Sequence, residues 1–179
     1  MHQHLEYRSP GQYGFTQTVP TWLTNAEVPV PPGDVPLAYA MTLYIPPGQE
    51  CTSVAIAMRG FTDSAGTIQA GVYQNLAGVM LPIGITDPTT VMWDSAWHSA
   101  HFPAPIAASD DLRKVKVVVS VANATDAVVM TFAPNGFAGP FMHLLASDVS
   151  TQVTELPAVL NMSAPAWRPF DQFPIIALA

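Results

Sequence analysis

The sequence is short of charge. Only 11% of its 179 residues are Asp, Glu, Lys or Arg, against about 25% in an average soluble domain. Six basic residues face thirteen acidic ones, for a formal net charge of −7. The basic residues are Arg8, Arg59, Arg113, Lys114, Lys116 and Arg168, and only Arg113, Lys114 and Lys116 cluster. That cluster is too small to track a phosphate backbone. Neither nucleic acid nor an anionic membrane surface is expected as a partner. Cysteine is almost missing too. Cys51 stands alone, so no intrachain disulfide can form, and the residue is expected to pack as a small hydrophobe. A nucleophilic thiol needs a base and an electropositive setting, and its sequence neighbours supply neither.

Other absences narrow the field further. No apolar run approaches the roughly 20 residues of a membrane span. The opening Met-His-Gln-His-Leu-Glu-Tyr-Arg lacks the basic and then apolar order of a signal peptide. No stretch shows a sustained 3.6-residue period, so long amphipathic helices are not expected. A Gly-x-Ser-x-Gly elbow and a glycine-rich phosphate loop are both missing.

What is present is proline, 18 residues of it, and a hydrophobic fraction of 49%. Pro10, Pro20, Pro29, Pro31, Pro32 and Pro36 punctuate the first 36 residues. Proline fixes φ and removes a donor, which bars a regular helix or a central strand there. Residues 1–36 read as an extended arm with aromatic anchors at Tyr7, Tyr13, Phe15 and Trp22. The arm either folds over its own domain or reaches a neighbour.

Residues 37–179 read as one domain built of short strands. Leu37 to Ile45 is apolar and is closed by Pro46-Pro47-Gly48. Ser53 to Phe61 alternates, with Val54, Ile56 and Met58 on one face. Ile68 to Gln74 and Val79 to Thr86 flank Asn75-Leu76-Ala77-Gly78, a hairpin connection. Pro82 inside the second of these marks an edge or a bulge. Short strand structure is expected around Trp93 and Trp97. Val115 to Ala122 and Ala127 to Ala133 form the clearest pair, with turn chemistry at 123–126 between them. Apolar runs follow at 141–146 and 153–159, and the chain closes on an apolar strand at 174–179. Strands at roughly 8–12-residue spacing with turns between them predict an all-β fold. The expected form is an antiparallel β-sandwich, jelly-roll-like, with the N-terminal arm.

The candidate chemistry is sparse. His98 and His101 are three apart, which places imidazoles on opposite faces of a strand and makes joint metal chelation poor. The loop acids Asp63, Asp87, Asp94 and Asp126 lack calcium-loop spacing. Asp110-Asp111 is the only adjacent acidic pair, and it sits in loop sequence. Catalytic sites draw on ionisable groups, so the shortage of charge argues for a non-enzyme without cofactor or metal. Trp93 and Trp97, four apart, would share one strand face, with Asp94 and His98 beside them. Exposed indoles with polar neighbours suit the C–H faces of sugars; core or interface packing explains the same residues.

The stretch Ala70-Gly-Val-Tyr-Gln-Asn-Leu-Ala-Gly-Val-Met80, followed by Val91-Met-Trp93, resembles a hairpin of tailed-bacteriophage virion proteins. Phe173-Pro-Ile-Ile-Ala-Leu-Ala179 resembles the terminal strand of their tail domains. The resemblance covers the central third and the last few residues. It implies a minor tail or tail-tip protein, with a capsid decoration protein as the alternative. Carbohydrate-binding jelly rolls share the same features, which implies a third reading in which Trp93 and Trp97 hold a host-surface glycan. A virion protein assembles in the host cytoplasm. Its expected partners are other virion proteins and copies of itself in a symmetric homo-oligomer.

Overall fold

A computed structural model describes residues 23–29, 37–60, 65–92, 96–123, 127–134, 147–150, 155–162, 167–169, 173–174 and 176–179. Among them there is no helix; every regular element is a strand. The strands are β1 (Leu23–Pro29), β2 (Leu37–Ile45), β3 (Cys51–Gly60), β4 (Ala65–Leu76), β5 (Val79–Ile85), β6 (Thr89–Met92) and β7 (Ala96–Ile106). They continue as β8 (Arg113–Ala122), β9 (Ala127–Pro134), β10 (Ser147–Ser150), β11 (Arg168–Pro169), β12 (Phe173–Pro174) and β13 (Ile176–Leu178).

They form two antiparallel sheets. One has seven strands in the order β11-β10-β2-β8-β4-β5, with β6 also on β4. The other has six, in the order β1-β9-β3-β13, with β7 on β3 and β12 on β9. Leu43, Ile45, Ile68, Val72, Val117 and Val119 of the first sheet share a single buried cluster with Val54, Ile56, Met58, Phe102, Ile176 and Leu178 of the second. Two sheets closed over one apolar layer make a β-sandwich. Alternation along each strand supplies that layer: on β8, Val115, Val117, Val119 and Val121 all face inward.

Ala77-Gly78 is the two-residue hairpin loop joining β4 to β5, closed by the Leu76↔Val79 pair. Ala77 and Gly78 have φ of 52° and 89°, the double left-handed geometry of a type I′ turn, whose twist matches the flanking strands. The Gly78 amide donates to Asn75 Oδ1 at 2.8 Å. Pro82 fulfils both of its expected roles. β5 lies at the end of its sheet's order, and the β4–β5 register slips between Val72 and Tyr73, opposite Gly84 and Pro82. Beyond the slip, Thr86 clasps β4: its amide donates to Ala70 O at 2.8 Å, and its Oγ1 accepts from the Ala70 amide at 2.9 Å.

Three features differ from the sequence reading. β8 and β9, read as a pair about a turn, do not pair. β8 lies between β2 and β4, while β9 lies between β1 and β3 in the other sheet. Secondly, residues 23–29, inside the stretch read as an arm, form β1. It pairs with β9 from Leu23↔Pro134 to Pro29↔Val128 at the end of its sheet, the edge position that proline tolerates. Thirdly, residues 155–159 of the apolar run at 153–159 are not a strand. They begin a strap, residues 155–162, across the outside of the seven-stranded sheet. The terminal strand is present as β13, paired with β3 from Ile176↔Ile56 to Leu178↔Val54. The run at 141–146 and the anchors Tyr7, Tyr13, Phe15 and Trp22 lie outside the described residues.

Candidate functional site

The strand β7 carries the described part of the aromatic motif. Alternation turns His98, Ala100 and Phe102 inward, where all three are buried. Trp97, Ser99 and His101 take the opposite face, where Trp97 is 43% exposed and His101 is exposed. Their partners on β3 are small: Ala57 faces Trp97, Ala55 faces Ser99 and Ser53 faces His101. His98 therefore does not join Trp97 on one surface. The two histidines are separated by the sheet, as their spacing requires. Trp93 and Asp94 lie outside the described residues. Among the described residues, no group of three or more His, Cys, Asp or Glu could hold a metal ion.

The second surface is the outer face of the seven-stranded sheet, which the sequence reading did not single out. It is built of small residues: Ala38 and Ala40 on β2, Gly71 on β4 and Val118 on β8. Ala38, Ala40, Tyr73 and Val118 form a second buried cluster with Leu160 and Trp167, and Leu156, Met80 and Met162 pack against it. A Cβ at Gly71 would stand 2.8 Å from Tyr73 Cε2 and 3.1 Å from Leu156 Cδ1. The missing side chain is what lets the Tyr73 ring and the strap lie close to the strand. Two hydrogen bonds fasten the strap: Tyr73 OH donates to Pro157 O at 2.9 Å, and the Leu160 amide donates to Met80 O at 3.0 Å. Burial pushes the Tyr73 phenol up to about 12. Across the same face, Lys116 Nζ donates to Asp148 Oδ2 at 2.8 Å, tying β8 to β10 over the intervening β2.

No protein-family model, curated protein or solved structure matches this chain.

Further hydrogen bonds bind the scaffold to itself. Arg113 Nη2 donates to Ala107 O at 2.8 Å, and the Gly48 amide donates to Ser109 O at 2.7 Å. Cys51 is buried in the main cluster. Burial pushes its thiol up, Arg113 opposes the shift and Glu50 adds to it. Arg113 is the electropositive neighbour that local sequence did not reveal, but burial outweighs it and disfavours the thiolate. Among the described residues, no helix is long and apolar enough to cross a membrane.

The Gly71-Val-Tyr73 spacing was the available signal for the second surface. On a strand, a glycine two residues from an aromatic shares its face and leaves the ring room to fold over the backbone. The strap itself had no such signal, because residues 155–162 follow neither a two-residue nor a 3.6-residue period.

Proposed function

We propose that this chain is a structural component of a bacteriophage virion, a minor tail or tail-tip protein that assembles through its arm and its sandwich surface. The observation that carries this reading is where the polar side chains go. Lys116, Asp148, Tyr73, Thr86 and Arg113 are all engaged in holding strands and loops together. A chain with so few charges, three of them engaged in the scaffold, suits contact between protein subunits better than chemistry on a substrate. The hairpin at Ala70–Met80, which resembles one of tailed-bacteriophage virion proteins, and the terminal strand, which resembles that of their tail domains, support the tail reading. A decoration protein on a capsid would use the same physics.

The test is physical association. Mass spectrometry of purified phage particles from the source of this sequence is expected to find the chain at stoichiometric levels, and labelled antibody is expected to mark the tail. Label on the capsid would select the decoration reading. A chain absent from every particle and monomeric in solution would remove both.

A further inference from the structure

We infer that the segment Asp110–Lys114 is a contact surface that pairs with the same segment of a second copy about a two-fold axis. Its sequence is Asp-Asp-Leu-Arg-Lys, with two acids and two bases placed symmetrically about Leu112. Two such segments laid antiparallel, leucine against leucine, bring Asp110 of one copy to Lys114 of the other and Asp111 to Arg113, on both sides of the axis. A two-fold contact requires a surface that complements itself in this way. Asp110, Asp111, Leu112 and Lys114 are exposed, while Arg113 is half-buried and holds Ala107 O through Nη2. The Asp110–Lys114 pair therefore carries more of the recognition than Asp111–Arg113. Leu112 is 61% exposed, more than any other large hydrophobic side chain among the described residues. It has apolar company. The β4–β8 register Gln74↔Val115 carries Leu76 to the level of Arg113, and Leu76 pairs with Val79 across the hairpin. Leu76 and Val79 are 46% and 44% exposed, so this end of the seven-stranded sheet gathers apolar surface beside charge of both signs, the composition of a protein contact. A partner surface of one charge sign would set like charge against either the two acids or the two bases; a second copy sets it against neither. The segment is also held in place. The Gly48 amide donates to Ser109 O at 2.7 Å and the Asp111 amide to Ser109 Oγ at 3.2 Å, which lowers the ordering cost of association. Exposed ion pairs contribute little individually, so the apolar side chains supply the affinity and the charges set partner and orientation.

The inference rests on the reading that copies of this chain assemble through the sandwich surface, and it names the part of that surface and its partner. Its test needs no particle. Sedimentation velocity of the full chain over a concentration series is expected to show reversible self-association. Leu112→Ser is expected to weaken it about ten-fold or more, because a leucine is uncovered on each copy. Asp110→Lys and Lys114→Asp each set like charges together at two places and are expected to weaken it about ten-fold. Mixed with one another, these two variants regain opposite charges at both places. Energy transfer between amino-terminal labels is then expected to report association of wild-type strength between the two variants, though neither associates well with itself. That rescue separates the pairing from any loss of fold in a single variant. A chain that stays monomeric at every concentration would overturn the proposal. So would self-association indifferent to Leu112→Ser and to both charge reversals, or reversals that weaken it without mutual rescue. Absence of the protein from virions, by contrast, would remove the virion reading and leave the pairing standing.

Discussion

The two faces of the seven-stranded sheet are both buried near its centre, but by different means. The inner face presents Tyr39, Leu43, Ile68, Val117 and Val119 to the opposite sheet. It is continuous with the core, and its filling is set by packing across the layer. The outer face presents Ala38, Ala40, Gly71 and Val118, and it is dry because a strap covers it. Large side chains make one face a core, while small ones make the other a seat. A sheet buried on both faces loses the clean in–out alternation that half-exposed strands show. Hence β8 reads as an almost unbroken valine run.

Replacing one inner residue should break the comparison most severely. Leu43→Ala is expected to cost about 2–5 kcal/mol in global stability by urea denaturation. Leu160→Ala removes a buried leucine from the strap side and is expected to fall at the low end of that range, because an irregular cover relaxes more readily than a sheet layer. Equal costs would mean that strap and core are one cooperative unit. Next in size is the ion pair. Lys116→Ala leaves Asp148 without its cation and is expected to cost about 1–3 kcal/mol; adding Asp148→Ala should recover part of the loss. A double variant worse than the single would show that the two side chains act through packing rather than charge.

Tyr73→Phe should cost about 1 kcal/mol through the lost bond to Pro157. It also carries a pH signature. The folded pKa of about 12 lies above the ordinary 10.0, so the fold favours the neutral phenol. That stabilisation is complete below pH 10 and is lost as pH rises through 12. Alkaline titration followed by proteolysis is expected to expose the strap earlier in the wild type than the sandwich strands. Tyr73→Phe should lessen the fall in stability across that window without abolishing it, because burial pushes the Tyr39 phenol up as well. The smallest effect concerns the hairpin. Ala77 at φ 52° is strained for a residue with a Cβ, so Ala77→Gly is expected to stabilise by about 1 kcal/mol, measured as a rise in Tm.

Legibility followed the range of the interaction that decided each feature. The turn after Leu76 was readable because Gly78 meets a purely local demand, positive φ, and Asn75 accepts its amide hydrogen bond. Pro82 was readable because one missing donor constrains one strand. The separation of His98 from His101 follows from alternation alone. The partners of β8 and β9 were not readable. A turn sequence at 123–126 says that the chain changes direction, and nothing in it says whether the next strand joins the same sheet. The strap was hidden for a related reason: its cover of Ala38, Ala40 and Gly71 is written in small residues, which also occur where nothing packs. Of the residues named for a ligand surface, Trp97 is outward and exposed, while His98 is directed inward by the same strand geometry that exposes its neighbour.

The place of β13 has a consequence for how the chain reaches this fold. Thr52 and Ser53 are bonded to Ala179, with 127 positions separating Thr52 from its partner, and Ile56 is paired with Ile176. β3 pairs with β9 only over Met58–Gly60, and the C-terminal strands serve both beyond that point: β13 on β3 and β12 on β9. Contacts so distant in sequence must overcome loop-closure entropy before they return any stabilisation, which slows folding. During synthesis, β3 emerges well before residues 176–179, and that part of its edge stays unsatisfied until they leave the ribosome. Its alternating Val54, Ile56 and Met58 are then the stretch most in need of protection, and refolding yield should be limited by how long that edge stays open.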